Sequence, residues 1–133
     1  MRLSSFQMEA VERSLDGYAL RAQALATNIA NVNTPDYVTQ DVDFEETLRT
    51  AMAESAKPQP LHGTEITEHN ADPLLHWQPT MQASQAGPQR LDGNGTAIEF
   101  QMGQVAENAI RFNAVARAIA SELQLLKHIS TAK

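Results

Sequence analysis

Cysteine is absent from this 133-residue chain, which excludes disulfide staples and thiolate zinc sites. Aromatics are scarce: one Trp, two Tyr and four Phe. The hydrophobic share is 42%, but 20 of those residues are alanine. Apolar area is therefore thin for a free-standing globule. Burial at about 25 cal/mol per Å² must offset a backbone ordering cost of roughly 1–2 kcal/mol per residue. A monomer of this composition is expected to be marginal, and burial against other chains is the natural remedy. No run approaches the roughly 18 apolar residues that cross a bilayer, so no membrane insertion is expected. The N-terminus lacks a basic segment followed by an apolar core, so no cleaved secretory signal is expected.

An excess of positive charge is also missing. The net charge is −6, from 10 basic and 16 acidic residues. Residues 1–33 balance to zero, residues 97–133 carry +1, and residues 34–96 carry −7. A chain without a basic footprint is a poor candidate for nucleic acid or for an anionic membrane surface.

What is present is helical periodicity at both ends. Ser4 with Gln7 forms a capping box for a helix predicted over about Ser4 to Asn31. Met8, Val11, Leu15, Tyr18, Ala22, Leu25, Ile29 and Val32 follow at alternating steps of three and four, a heptad stripe. Ala19, Ala26 and Ala30 widen it with small residues. Gly17 costs roughly 1 kcal/mol relative to Ala in a helix. Pro35 restricts the residue before it, so the helix should stop by Asn33 or Thr34. At the other end, Leu91-Asp92-Gly93-Asn94-Gly95 reads as a turn and Thr96 with Glu99 as a second capping box. Met102, Val105, Ala109, Phe112, Ala116, Ile119, Leu123 and Leu126 then repeat the pattern. Glu99 near the start and Lys127 and His128 near the end suit the helix dipole. Two stripes of similar length are expected to pair, antiparallel or in a layered bundle.

The middle differs. Val38, Gln40, Val42 and Phe44 alternate and would share one face of an extended segment. Asp43 with Glu46 could cap a short helix to about Ser55, with Phe44, Leu48 and Met52 as its apolar edge. Five of the six prolines fall between Lys57 and Gln89. That stretch has no sustained period and reads as a long loop, partly disordered in the free chain. The fold class expected is all-α: N- and C-terminal helices pairing as a coiled-coil-like bundle, with a partly extended or disordered middle. Its divisions are residues 1–33, 34–96 and 97–133.

Constellations that could carry chemistry are weak. His62, His69 and His76 are spaced seven apart, but Gly63 and Pro73 argue against the helix that would stack them into a metal site. Asp41, Asp43, Glu45 and Glu46 lack the offsets and glycine of a calcium loop. No phosphate cradle and no G-x-S-x-G elbow is present. No catalysis, cofactor, metal or small-molecule substrate is expected; a metal-binding enzyme using the three histidines is the distant alternative.

The most specific stretch is Leu25-Ala26-Thr27-Asn28-Ile29-Ala30-Asn31-Val32-Asn33-Thr34-Pro35-Asp36-Tyr37. It resembles the L-A-x-N-I-A-N-x-x-T-P-G-Y signature of the bacterial flagellar axial proteins (rod, hook and hook-associated). Asp41-Val42-Asp43-Phe44 and Leu48, the Leu91–Asn94 turn, Ala106-Glu107-Asn108 and Arg111-Phe112 narrow the resemblance to the proximal rod proteins of the flagellar basal body. Asp36 stands where that family usually has glycine, and Asp tolerates left-handed backbone angles better than most residues. Val38-Thr39-Gln40 replaces a usually basic segment.

The resemblance implies a structural subunit of the proximal rod. It would be exported by the flagellar type III apparatus and assembled in the periplasm through its terminal helices to transmit torque. Another small rod protein of the same family is the nearer alternative. The implied partners are copies of itself, other rod proteins, and an adapter at the membrane ring and export gate. The residues expected at the assembly interface come from the two stripes and the motif. The first helix and its end supply Leu15, Tyr18, Leu25, Asn28, Ile29, Asn31, Asn33, Thr34 and Pro35. The segment after it supplies Tyr37, Asp41, Asp43 and Phe44, and the last helix Val105, Phe112, Ile119, Leu123 and Leu126.

Overall fold

The computed structural model describes residues 5–56, 72–84 and 97–131. Two long helices dominate: α1 (Ser5–Ala30) and α4 (Ile98–Thr131). Between them lie β1 (Gln40–Asp41), α2 (Glu45–Ser55), α3 (Pro73–His76) and β2 (Gln82–Ala83). The all-α class and the pairing of the terminal helices are as expected. The pairing is antiparallel, because Asn28 near the end of α1 bonds Gln101 near the start of α4, and Asn108 further along α4 bonds the Tyr18 carbonyl. Ser4 and Thr96, the expected capping residues, lie outside the described residues.

The core is not where the two stripes would put it. It consists of Ala10 and Ala24 from α1, Val42 and Phe44 from the segment before α2, Leu48 and Ala51 from α2, and Leu74 and Trp77 from α3 and its end. Helix α4 adds none of these; its only buried side chains are the polar Gln101 and Asn108. In α1 the deep face runs Ala10, Gly17, Ala24, at intervals of seven. Those residues stand off the expected stripe, of which only Leu25 is buried. Helix α1 thus has two apolar faces, one for the middle of the chain and one for α4. Small residues on the first let Phe44 come close: a Cβ at Gly17 would lie 2.4 Å from its ring.

Residues 72–84 depart from the loop reading of the middle. Asp72 caps α3 by accepting the Leu74 N–H at 3.0 Å, and Pro73 at the first helical position is pre-set for a helix start. Ser55 Oγ donates to Asp72 Oδ1 and accepts the Leu74 N–H at 3.1 Å, tying α2 to α3. Trp77 is buried, and its Nε1 donates to Thr47 Oγ1 at 3.2 Å. Strand β2 then pairs antiparallel with β1, Gln40 opposite Ala83 and Asp41 opposite Gln82. One buried tryptophan and one buried leucine give no periodicity, which is why the pattern missed this segment.

Two local expectations are also corrected. Helix α2 begins after Phe44, not Asp43; Phe44 has helical backbone angles and no side chain caps the turn. Glu45 and Glu46 in the first turn meet the helix dipole instead. The extended face is shorter than the alternation suggests, because Val42 and Phe44 are buried while Val38 is 54% exposed.

Candidate assembly interface

The Leu25–Tyr37 motif folds into a tight chain reversal. Asn31 Nδ2 donates to the Thr27 carbonyl at 2.9 Å, closing the last turn of α1. Thr34 Oγ1 donates to Asn31 Oδ1 at 3.2 Å, and Pro35 prevents the helix from resuming. Asp36 has φ 58°, the left-handed angle expected of this position. The reversal brings Tyr37 and Gln40 back against α1.

Asn28 is the hub of this region. It is 3% exposed. Its Oδ1 accepts the Gln40 N–H at 2.8 Å and the Tyr37 hydroxyl at 3.1 Å. Its Nδ2 donates to the Gln40 carbonyl at 2.7 Å and to Gln101 Oε1 at 3.2 Å. The side-chain amide thereby pairs with both backbone groups of Gln40 as a neighbouring strand would. One residue fastens α1, the returning strand and α4.

A second anchor is Arg21. It donates to Glu45 from two nitrogens at 2.6 and 2.5 Å and to the Val42 carbonyl at 2.8 Å from Nε. Its guanidinium lies 4.7 Å from the Phe44 ring centroid and 3.8 Å from Asp41. Burial pushes the Arg21 pKa down, but the Glu45 hydrogen bonds and the Glu45 and Asp41 charges outweigh it, leaving it raised. Burial likewise pushes Glu45 up, and the Arg21 hydrogen bonds together with the Arg21 and Arg111 charges bring it below its ordinary value. Arg111 on α4 reaches Glu45 at 3.5 Å, so this pair also ties α4 to the body.

Beyond these polar ties α4 is largely uncovered. Met102, Val105, Phe112, Leu123 and Leu126 are between 36 and 61% exposed. An apolar groove of about 730 Å³ runs between α1 and α4, walled by Tyr18, Ala22, Ala26, Val105, Ala109 and Phe112.

The expected interface residues therefore separate into three groups. Asn28 and Tyr37 meet in the hub, with Asn31, Asn33, Thr34 and Pro35 in the adjoining reversal. Leu25 and Phe44 are inside the chain, and Asp41 is beside Arg21, so these serve the chain's own packing; Asp43 is exposed. Tyr18, Ile29, Val105 and Phe112 line the groove, Leu15 and Ile119 are half-buried, and Leu123 and Leu126 are exposed. Sequence reasoning missed Arg21, Gln101 and Trp77. Only the lone tryptophan carried a signal, since so large a ring is rarely left in solvent without use. Of the three histidines, His62 and His69 lie outside the described residues and His76 is exposed on α3. No cluster of three metal-ligating side chains occurs among the described residues.

The antiparallel helix pair is closed by an asparagine hub that the signature motif builds. No family model matches the chain. It is 27% identical over 127 residues to the flagellar basal body rod protein FlgB of Escherichia coli, covering 93% of this chain and 89% of that protein. The FlgB of Bacillus subtilis is 23% identical over 133 residues, covering 98% of each, and that of Salmonella typhimurium is 27% identical over 127 residues. These matches, spanning nearly the whole of both chains, support membership of the FlgB family of flagellar basal body rod proteins.

Proposed function

We propose that the chain is a structural subunit of the proximal rod of the bacterial flagellar basal body. The observation that carries this reading is the near full-length similarity to FlgB proteins from distantly related bacteria, with the signature motif folded into the Asn28 hub. Export by the flagellar type III apparatus suits a chain whose core is small and whose long α4 is held by few ties. A helix with an uncovered apolar side is a surface that neighbouring subunits can cover. Copies of this chain, other rod proteins and an adapter at the membrane ring are its partners, and packed helices would carry torque along the rod. The chain acts by packing rather than by catalysis.

A clean deletion tests this. Cells that assemble membrane rings without a rod, do not swim, and recover with the intact gene support the reading. Motile cells with normal basal bodies would refute it.

A further inference from the structure

The two apolar stripes slide onto themselves. On α4, Val105, Phe112, Ile119 and Leu126 recur every seven residues, as do Met102, Ala109, Ala116 and Leu123. On α1, Val11, Tyr18 and Leu25 do the same, beside Leu15, Ala22 and Ile29. Moving one helix along the other by seven residues, about 10.5 Å, still lays apolar side chains on apolar side chains. The apolar pattern therefore does not choose a register.

The polar side chains do choose one. The buried residues of α4 are Gln101 and Asn108, 4 and 5% exposed. Gln101 Oε1 accepts from Asn28 Nδ2 at 3.2 Å, and Asn108 Nδ2 donates to the Tyr18 carbonyl at 3.0 Å. A seven-residue slip in one direction puts Asn108 opposite Asn28 and Val115 opposite Tyr18. It carries Gln101 past the end of α1 at Ala30 and draws Arg111 away from Glu45, which it meets at 3.5 Å. The opposite slip puts Gln101 opposite Tyr18 and sets Asn28 against the chain ahead of Ile98, where α4 starts. Either slip breaks the Asn28–Gln101 bond.

Neither amide of α4 is needed to satisfy its partner. Without Gln101, Asn28 keeps both bonds to Gln40. The Tyr18 carbonyl lies inside α1, where the helix supplies a donor four residues on. Asn108 Oδ1 is buried with no hydrogen-bond partner among the described residues, which is unfavourable, and Val105, Ala109 and Phe112 beside it are apolar. A buried polar residue that weakens a helix pair while favouring one alignment acts as a register device. The Arg111–Glu45 contact joins side chains 49 and 39% exposed, too wet to hold the register by itself.

We propose that Gln101 and Asn108 are the specificity-determining residues of the helix pair: they fix α4 on α1 in one register, at a cost in stability. The pin works within one chain and does not depend on the rod reading. It gives every copy the same exposed side of α4.

The absence of cysteine allows clean spin labelling of the full chain at Gln23→Cys and Ala118→Cys, both exposed positions. The observed register sets them roughly 20 Å apart along the helix axis, and a seven-residue slip changes that by about 10.5 Å. Pulsed electron–electron resonance should give a single distance in the labelled parent. Adding Gln101→Leu with Asn108→Leu should keep the circular dichroism and the urea midpoint, or raise the midpoint, while a second distance displaced by about 10 Å appears. Asn108→Leu alone keeps Gln101 on Asn28, so it should raise the midpoint and hold the single distance. One unchanged distance in the double variant would overturn the pin. So would lost helicity or a lower midpoint in either variant, since the amides would then be holding the fold and not its register. A second distance that vanishes on dilution with unlabelled chain would place the slip between copies and overturn it as well.

Discussion

Gly17 offers a prediction in which two physical effects oppose each other. Replacing a glycine inside a helix by alanine stabilises by roughly 0.5–1 kcal/mol, through lost freedom of the unfolded chain. At Gly17 the new Cβ would lie 2.4, 2.5 and 2.7 Å from Cδ2, Cγ and Cε2 of Phe44. The ring has little room to yield. Tyr18 meets it edge-on at a centroid distance of 4.8 Å, Trp77 stands at 6.3 Å, and Arg21 covers it at 4.7 Å. Overpacking of this kind costs about 1–3 kcal/mol, here toward the upper end because several neighbours must move together. The net effect of Gly17→Ala is therefore a loss of about 1–2 kcal/mol, or roughly 3–8 °C in Tm. Gly103 on α4 is the internal control, since a Cβ there meets nothing within 4 Å. Gly103→Ala should raise stability by about 0.5–1 kcal/mol. Urea unfolding followed by circular dichroism measures both. Equal stabilisation by the two substitutions would refute the docking of Phe44 against α1.

Asn28→Ala should cost about 2–4 kcal/mol in urea unfolding, because it leaves Gln40, Tyr37 and Gln101 without partners in a buried place. Arg21→Met keeps the side chain's bulk but strands Glu45 and the Val42 carbonyl, so a loss of about 2–3 kcal/mol is expected by the same assay. The Glu45 pKa is lower in the folded chain than its ordinary value, so the unfolded state binds more protons in mild acid. The pair's contribution is complete above the ordinary glutamate range and is lost as pH falls through the lowered folded value. Glu45→Gln should flatten stability measured across that acid range, and an unchanged pH profile would contradict the pairing. Trp77→Ala should detach residues 72–84 from α2 and cost about 3–5 kcal/mol; lost protection of the amides at positions 74 and 77 from hydrogen exchange would report it directly.

Several features were legible along the chain because they depend on neighbours in sequence. A heptad alternation sustained over several turns marks a long helix, and both terminal helices are present, α1 ending at Ala30 and α4 starting at Ile98. Thr34 and Pro35 stop α1 by local sterics, and Asp36 takes the left-handed angle that the reversal needs. Asn28 stood out through its motif, although the amide's partners are 9, 12 and 73 residues away and no pattern specifies them.

The tertiary structure alone decided which faces are used. A stripe counts apolar residues on a helix but does not say what reaches them first. Phe44, Leu74 and Trp77 claim the opposite face of α1, because Ala10, Gly17 and Ala24 present a surface shallow enough for a ring to approach. That choice holds residues 72–84 in place without any periodicity of their own. It also leaves α4 outside the core, fastened by Gln101, Asn108 and Arg111. Composition set a short supply of large apolar side chains, and non-local packing spent most of it on one side of α1. Much of the apolar side of α4 is consequently left exposed.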